Sequence, residues 1–254
     1  MENNIGHVKT ELHHGVTHIE FFHPQSNSMP LRLLHELASA IHAAGIDTDT
    51  KVILLKSAGE KAFCAGASFT ELAAIQTAEE GTHFFSGFAQ VINAMRHCPK
   101  LIIGRIHGKC VGGGVGLAAA ADYAIAHESA EIKLSELAAG IGPFVVGPAV
   151  ERKIGLSAFT QLAIDAGMWR NTEWARRKGL FAEVHPTIEG MDESISRLCN
   201  SLLHSSALAM TELKKVSWAG TAGWDELLEQ RAAISGRLVV TEQARSAIAA
   251  FNKK

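Results

Sequence analysis

Two segments rich in small residues carry the first indication of chemistry, and the first of them is a run of glycines. Gly112, Gly113, Gly114 and Gly116 lie within five residues and lead into an alanine-rich segment that ends at Asp122. Bare backbone at the start of a helix can hold a phosphate, or it can direct a backbone N–H at an oxyanion. Close packing explains the alanines better than three consecutive glycines, which cost backbone entropy on folding.

The phosphate interpretation rests on Gly114, Gly116 and Ala119, which fit the G-x-G-x-x-A form of the dinucleotide fingerprint. That fingerprint follows its strand directly in a tight turn, whereas here the residues HGKCVG intervene. No clean strand ending in an acidic residue follows about 20 residues later, where the fingerprint requires one. A dehydrogenase is therefore the less favoured alternative.

A second loop of small residues offers a partner for the first. The segment Glu60–Leu72, EKAFCAGASFTEL, leaves a strand, passes through Cys-Ala-Gly-Ala-Ser and enters a helix. Two such loops can place two backbone N–H groups around one carbonyl oxygen, and both helix N-termini add positive potential there. The pair of loops therefore favours an oxyanion hole.

Few other side chains have a spacing that indicates chemistry. The 13 histidines and the four cysteines show no metal-ligand spacing, so we expect no metal site. Cys64 beside the second loop is expected to be a packed residue rather than a nucleophile, because no histidine is placed to activate it. His83 and His107 are weaker candidates for contact with a substrate.

Strands and helices alternate in the part of the chain that must position these loops. Residues 15–22, 51–57 and 101–108 have the pattern of strands. Residues 31–45 have apolar residues at helical spacing, and we predict that this helix stops at Gly45. Further helices are predicted between the second and third strands. This order indicates an α/β fold with crossover connections.

Helical patterns dominate the second half of the chain. Short strands are predicted at residues 122–127 and 130–134, and helices follow from Ser157 onward. A possible strand at residues 181–186 interrupts them. A helical C-terminal region of some 60 residues is predicted to begin near Glu189.

Composition limits the class of protein. The chain has 254 residues, 47% of them hydrophobic and 20% charged, which fits a soluble globular protein with one large domain or a core and an appendage. A net charge of −2 without a Lys/Arg-rich run leaves no electrostatic footprint for nucleic acid. The polar N-terminus and the short apolar runs predict no signal peptide and no membrane anchor. Four widely spaced cysteines predict reduced thiols in a cytoplasmic protein.

Five segments share the order and spacing of a known family: HPQSNSM, VILLKSAGEKAFCAGASFTEL, IIGRIHGKCVGGGVGLAAAADYAIA, IKLSELAAGIGPF and RKIG. With them the sequence resembles the enoyl-CoA hydratase/isomerase (crotonase) superfamily over nearly its whole length. The resemblance implies an α/β fold of the ClpP/crotonase type, a spiral of ββα turns. Residues 1–188 would be the acyl-CoA-binding core, and residues 189–254 a helical region that forms a homotrimer, often paired into a hexamer.

The resemblance also implies the site. A coenzyme A thioester would bind with its carbonyl oxygen between the backbone N–H groups of Ala67 and Gly113. The implied substrate contacts are Ala65, Gly112, Phe84, Phe85 and Phe88. For the three phenylalanines, packing in the core is an equal alternative. Because the substrate carries coenzyme A, neither a separate cofactor nor a metal is implied.

Classical hydratases of the family carry two glutamates, and this chain retains one of them. Glu136 in KLSELAAG matches the second and is implied to be catalytic. Gly116 stands where the first would be, so no carboxylate can reach the site from there. In the family, the position of Ser68 is usually occupied by an acidic residue and that of Thr70 often by a basic one.

The number of carboxylates separates two reactions. Syn hydration of a 2-enoyl thioester is easiest with two, whereas moving a double bond from the 3,4 to the 2,3 position needs one that removes a proton from C2 and returns it at C4. Family isomerases resemble this chain in keeping only the glutamate at the position of Glu136. Glu71 or Glu79 could supply a second carboxylate for hydration of a short or branched substrate such as methylglutaconyl-CoA. Both reactions stay open, with decarboxylation, thioester hydrolysis and acyl-CoA binding without turnover as further alternatives.

Overall fold

The chain begins with a hairpin and a helix in the computed structural model, which describes residues 6–251. The first elements are β1 (His7–His13), β2 (Val16–Phe22), β3 (Ser28–Met29) and α1 (Leu31–Ile46). The prediction that Gly45 ends the first helix is wrong. Gly45 lies inside α1, where a Cβ would come within 3.2 Å of the Cys98 sulfur, so this glycine serves close packing rather than capping.

Repeated strand–strand–helix turns follow and form the centre of the molecule. In chain order the elements are β4 (Val52–Ser57), β5 (Ala62–Cys64), β6 (Gly66–Ala67), α2 (Phe69–Ala74), α3 (Ala78–His97), β7 (Leu101–Ile106), β8 (Lys109–Val111), α4 (Gly113–Ala120), β9 (Tyr123–His127), β10 (Ile132–Lys133), a 3-10 helix (Leu137–Ala139) and α5 (Gly147–Ile154). In each turn a long strand of the large sheet is followed by one or two short strands of the smaller sheets before the chain enters a helix.

The remaining elements are mainly helical: α6 (Leu156–Ile164), α7 (Thr172–Arg177), β11 (Glu183–His185), α8 (Ile188–Leu203), α9 (Ala207–Ser217), α10 (Trp224–Val239) and α11 (Glu242–Phe251). The predicted α/β class and the helical C-terminal region are confirmed. The boundary between residues 188 and 189 and the trimer stay predictions. No helix within residues 6–251 is long and apolar enough to cross a membrane.

Three sheets organise the strands of residues 6–251. The large sheet has the order β1–β2–β4–β7–β9–β11, and its strands are parallel except for β1, which pairs with β2 in the antiparallel sense. A parallel three-stranded sheet has the order β10–β8–β5, and β3 pairs with β6. The long and the short strands therefore lie in separate layers, and the small sheet delivers the ends of β5 and β8 side by side.

The large sheet is buried on both faces, as its central strands require. Residues Val52 to Leu55 of β4 form a continuous apolar run with every side chain buried, the pattern of a parallel strand covered on both sides. One face packs against α1, α3 and α4, and Met191 and Ile195 of α8 cover the other. Full burial of each such side chain stabilises the fold by about 1.5–3 kcal/mol.

Helix α10, in the C-terminal region, packs lengthwise on α3 of the central region. At their closest approach a Cβ on Gly81 would lie 2.8 Å from the Cα of Gly236, so the two backbones meet without side chains between them. The Ser86 hydroxyl donates a hydrogen bond of 2.6 Å to Glu229 across the same interface. The C-terminal region is thereby fixed against α3, the second helix after the small-residue loop at residues 64–68.

Candidate active site

A small cavity lies where β6 and β8 each lead into a helix. Its volume is about 50 Å³, and its walls come from both loops, α3, the segment between Ser135 and Val146, and Ser235 of α10. Seven of the eight residues predicted for the site line it: Ala65, Ala67, Phe85, Phe88, Gly112, Gly113 and Glu136. The eighth, Phe84, lies behind this wall.

The loop at residues 64–68 presents the backbone of Ala67 to the cavity. The N–H of Ser68 donates to the Met29 carbonyl at 3.2 Å. Because N–H groups of successive residues in a strand point to opposite sides, the N–H of Ala67 points away from β3. Ser68 then caps α2, since its hydroxyl accepts a hydrogen bond from the N–H of Glu71.

The glycine loop at residues 112–116 brings Gly113 close to the loop that contains Ala67. Gly112 has a φ of +52°, a conformation that other residues rarely adopt, and it turns the chain from β8 into α4. Gly113 is the first residue of α4, so its N–H has no acceptor within the helix. A Cβ on Gly66 would lie 3.4 Å from the nitrogen of Gly113 and 2.7 Å from the carbonyl oxygen of Val111. The two loops are therefore in contact through backbone atoms.

Three phenylalanines of α3 form the wall beside Gly113. A Cβ on Gly113 would clash with the ring of Phe88, which lies directly against the loop. Phe84 stacks edge-to-face on Phe85, with ring centroids 5.4 Å apart, and on Phe88 at 6.3 Å. Phe85 and Phe88 thus line the cavity, and Phe84 supports them from the protein interior.

Glu136 carries the one carboxylate of the cavity wall. Its carbonyl accepts the N–H groups of Ala139 and Ile141, both at 3.0 Å, which anchors its backbone at the start of the 3-10 helix. Its Oε2 atom is inaccessible to solvent and has no hydrogen-bond partner among the described residues. A Cβ on Gly112 would lie 2.8 Å from Oε1, so the carboxylate rests against the glycine loop.

Burial dominates the electrostatics of Glu136. Removal of the carboxylate from water disfavours its charged form, and this raises the pKa of Glu136 from 4.5 to about 7; its own backbone N–H opposes the effect in part. A carboxyl with a pKa near neutrality can both take and return a proton at physiological pH.

The prediction that Glu71 or Glu79 could add a second carboxylate is wrong. Glu71 turns away from the cavity, and its Oε2 accepts the backbone N–H of Leu31 at 2.8 Å. Glu79 is exposed in the first turn of α3. Among the cavity-lining residues of the described chain, Glu136 is the single titratable side chain.

The position of the missing glutamate is covered by an apolar side chain. Gly116 is buried inside α4, and the nearest atoms around it belong to Val146, which itself lines the cavity. An aliphatic side chain thus faces the cavity beside Gly116.

Three other sequence candidates lie outside the cavity lining. The Cys64 thiol is fully buried, which raises its pKa to about 12, so it is a packed thiol and not a thiolate. His83 is exposed on α3 and contacts the ring of His35. His107 is buried with neither ring nitrogen paired among the described residues, and burial lowers its pKa to about 4. No group of three or more potential metal ligands is present within residues 6–251.

Several lining residues were missed by sequence reasoning. Ser135 directly precedes Glu136, so its place in the motif could have indicated it. Residues 141–146 follow the same motif and close the cavity with Pro143, Phe144 and Val146. Ser235 reaches the cavity from α10, about 100 residues further along the chain, and no local signal in the sequence points to it.

Comparison with known proteins identifies the family. The sequence model of the enoyl-CoA hydratase/isomerase family matches residues 11–254. The chain is 26% identical over 247 residues to the trans-2-decenoyl-[acyl-carrier-protein] isomerase of Streptococcus mutans, covering 94% of this chain and 92% of that protein. It is 33% identical over 159 residues to the mitochondrial methylglutaconyl-CoA hydratase of Mus musculus, covering 62% of this chain and 50% of that protein.

A comparison of structures agrees with the comparison of sequences. The crystal structure of an enoyl-CoA hydratase from Bacillus halodurans superposes with a TM-score of 0.87 at 23% sequence identity, covering 96% of this chain and 99% of that chain. The chain therefore belongs to the enoyl-CoA hydratase/isomerase family and has the crotonase fold.

Proposed function

We propose that this family member isomerises the double bond of an enoyl thioester with Glu136 as its single acid–base group. The observation that supports the proposal is the lining of the cavity, in which Ala67 and Gly113 of two touching loops lie with one carboxyl whose pKa is about 7. A double-bond shift needs one group that removes a proton at one carbon and returns it at another. Hydration needs in addition a held and activated water.

In the proposed reaction the thioester oxygen of a 3-enoyl substrate accepts the N–H groups of Ala67 and Gly113. The Glu136 carboxylate removes a proton from C2, and the electron pair moves into the thioester to form a dienolate. The two donors stabilise the negative oxygen, and one donor of this kind contributes roughly 3–4 kcal/mol to the transition state. Glu136, now protonated, returns its proton to C4, which leaves the conjugated 2-enoyl thioester and restores the carboxylate.

The lining supports an uncharged and short acyl group. Apart from Glu136 and the hydroxyls of Ser135 and Ser235, apolar side chains and glycines surround the cavity. Its volume of about 50 Å³ is well below the roughly 150 Å³ of an apolar cavity that holds benzene, so a longer chain requires side chains to move. Coenzyme A, as part of the substrate, is the only cofactor moiety that this reaction requires.

Hydration is the second candidate, favoured by two observations. The relative at 33% identity is a hydratase by name, and the Ser135 hydroxyl lines the cavity next to Glu136. In this reaction Ser135 would help to hold the water while Glu136 alone exchanges both protons. The absent second carboxylate makes this the harder task for these side chains.

The homotrimer or hexamer that the resemblance implies accompanies the proposal. Leu208, Leu213 and Val216 of α9 are exposed in the single chain, which supports an assembled form. Sedimentation equilibrium of the purified protein tests the assembly.

Matched substrates separate the two reactions. Purified protein is given a short 3-enoyl-CoA and the corresponding 2-enoyl-CoA, and the ultraviolet band of the conjugated thioester is followed, with products identified by mass. We expect the band to appear from the 3-enoyl compound without a gain of water, and deuterium placed at C2 of the substrate to appear at C4. Loss of the band from the 2-enoyl compound with a hydroxyacyl product would replace isomerisation by hydration. Unchanged substrates from both, with retained binding, would indicate an acyl-CoA binding protein.

A further inference from the structure

Val146 occupies the space through which a side chain at position 116 would enter the cavity. A Cβ built on Gly116 would lie 2.6 Å from Cγ1 and 2.7 Å from Cβ of Val146, and 3.6 Å from its Cα. All three of its nearest atoms belong to this one residue. Val146 also lines the cavity, so it separates α4 from the cavity at this point.

The backbone holds Val146 in this position. It immediately precedes α5, and its carbonyl accepts the N–H of Val150 at 3.1 Å. On the other side, the N–H of Gly147 binds the carbonyl of Pro143 at 2.8 Å. The side chain is 5% exposed, and a β-branched residue has few χ1 rotamers. Val146 therefore cannot turn aside cheaply to admit a side chain from Gly116.

An aliphatic wall has a chemical consequence. A water molecule needs polar partners to be held, and the isopropyl group of Val146 provides none. Addition of water to a 2-enoyl thioester requires that a water be fixed and deprotonated near C3, while Glu136 serves the proton at C2. We infer that Val146 is a specificity-determining residue, which keeps this part of the cavity dry and restricts the enzyme to proton transfer. The inference rests on the proposed function, because it concerns the choice of reaction in the same site.

The pair Gly116 and Val146 can be exchanged to test this role. Val146→Ala is insufficient because the Cβ atom remains 2.7 Å from the new side chain, so Val146→Gly is required. In the double variant Gly116→Glu/Val146→Gly a second carboxylate can reach the cavity and activate water. We expect 2-enoyl-CoA hydration to rise roughly 10²-fold or more over Gly116→Glu alone, the usual contribution of a general base. The matched control is Gly116→Glu/Val145→Gly, since Val145 also lines the cavity but is not among the atoms nearest to Gly116.

A stability measurement decides the steric part even if the glutamate variants do not fold. Gly116→Ala should lower Tm in the parent protein, although alanine is the better helix former, because its methyl collides with Val146. In the Val146→Gly background the same substitution should raise Tm, because the methyl enters the space that the valine vacated. Equal or opposite responses would show that Val146 does not cover Gly116 and would overturn the inference.

The activity outcomes separate the inference from the proposed function. A folded double variant that still isomerises but gains no hydration overturns the role of Val146 and leaves the isomerase intact. A parent protein that hydrates 2-enoyl-CoA about as fast as it isomerises 3-enoyl-CoA overturns both the inference and the proposed function. A gain of hydration in the double variant but not in the Val145 control supports the inference.

Discussion

The two sides of the cavity use different parts of the chain. The side that would receive the thioester oxygen is made of backbone, because Ala67 and Gly113 would contribute N–H groups and the glycines allow the loops to touch. The side that would handle protons is made of side chains, those of Glu136 and Val146. A backbone donor survives most substitutions, whereas one change of side chain removes or adds an acid–base group. Stabilisation of an enolate and the choice of reaction can therefore vary independently.

The largest expected effect concerns Glu136, on the side of the cavity that is made of side chains. Glu136→Gln keeps the shape of the side chain and removes its acid–base function. We expect turnover to fall roughly 10²-fold or more, while binding of an unreactive acyl-CoA analogue persists. Steady-state kinetics and calorimetric titration of the analogue measure the two quantities. Near-normal turnover would remove Glu136 from the mechanism.

The next largest effect concerns the side of the cavity that is made of backbone. A test of this side needs a substitution that deletes an N–H. Ala67→Pro does so without loss of the β3 ladder bond, which Ser68 makes. We expect kcat to fall roughly 10²–10³-fold, the typical cost of one oxyanion donor. Ala67→Gly, which keeps the N–H, is the matched control and should retain most activity. Equal losses in both variants would mean that the side chain, and not the donor, matters at this position.

The pH dependence of activity sharpens the contrast, since the backbone donors do not titrate. Glu136 must be ionised to remove the first proton, and burial raises its pKa to about 7. We therefore expect kcat/KM to fall about tenfold per pH unit below this value and to level off above it. A profile that is flat between pH 5 and pH 8 would contradict this assignment.

Stability should show the opposite dependence on pH. The folded-state pKa of about 7 exceeds the unfolded value of 4.5, so the folded protein binds more protons within this window. The stabilising effect is complete below pH 4.5 and is lost as the pH rises through 7, and the total loss in the free energy of unfolding is roughly 3 kcal/mol. Glu136→Gln should accordingly have a higher Tm than the parent protein at pH 8 and show a smaller difference at pH 5. Thermal unfolding at the two pH values measures this.

His107 is expected to have the smallest effect on activity and serves as a control, because it is a buried titratable group outside the cavity lining. Its pKa is lowered from 6.5 to about 4, chiefly by burial, so the unfolded state binds more protons between these values. Stability should therefore fall as the pH drops from 6.5 through 4. His107→Phe should reduce this acid sensitivity and leave the activity midpoint near pH 7. A shifted midpoint would connect His107 to the reaction.

Local sequence was sufficient to single out the two loops. A glycine run at the start of a helix has few structural uses, and the segment that contains Ala67 is the same kind of loop. The resemblance to a family was needed to assign Ala67, Gly113 and Glu136 to the site. The cavity brings these three residues together, as the spacing within two ββα turns requires.

Long-range contacts account for what the sequence did not show. Ser235 joins the cavity only because α10 packs on α3, and Val146 matters only because Gly116 lies beneath it. Phe84 and Phe85 differ by one position on α3, and the exact rotation of the helix decides which of them faces the cavity. The strand β1 was not predicted because His7–His13 forms a sheet edge with mostly exposed, polar residues.

The contact between Gly81 and Gly236 has a consequence for dividing the chain. Since α3 and α10 touch through bare backbone at Gly81 and Gly236, α10 covers this surface of α3 closely. A polypeptide that ended before α10 would leave that surface open to solvent and the cavity without Ser235. Two fragments cut in the turn between α8 and α9 should therefore recover the cavity only when they are produced together. The chain would thus suit a split reporter, in which the return of the proposed isomerase activity records the meeting of its two halves.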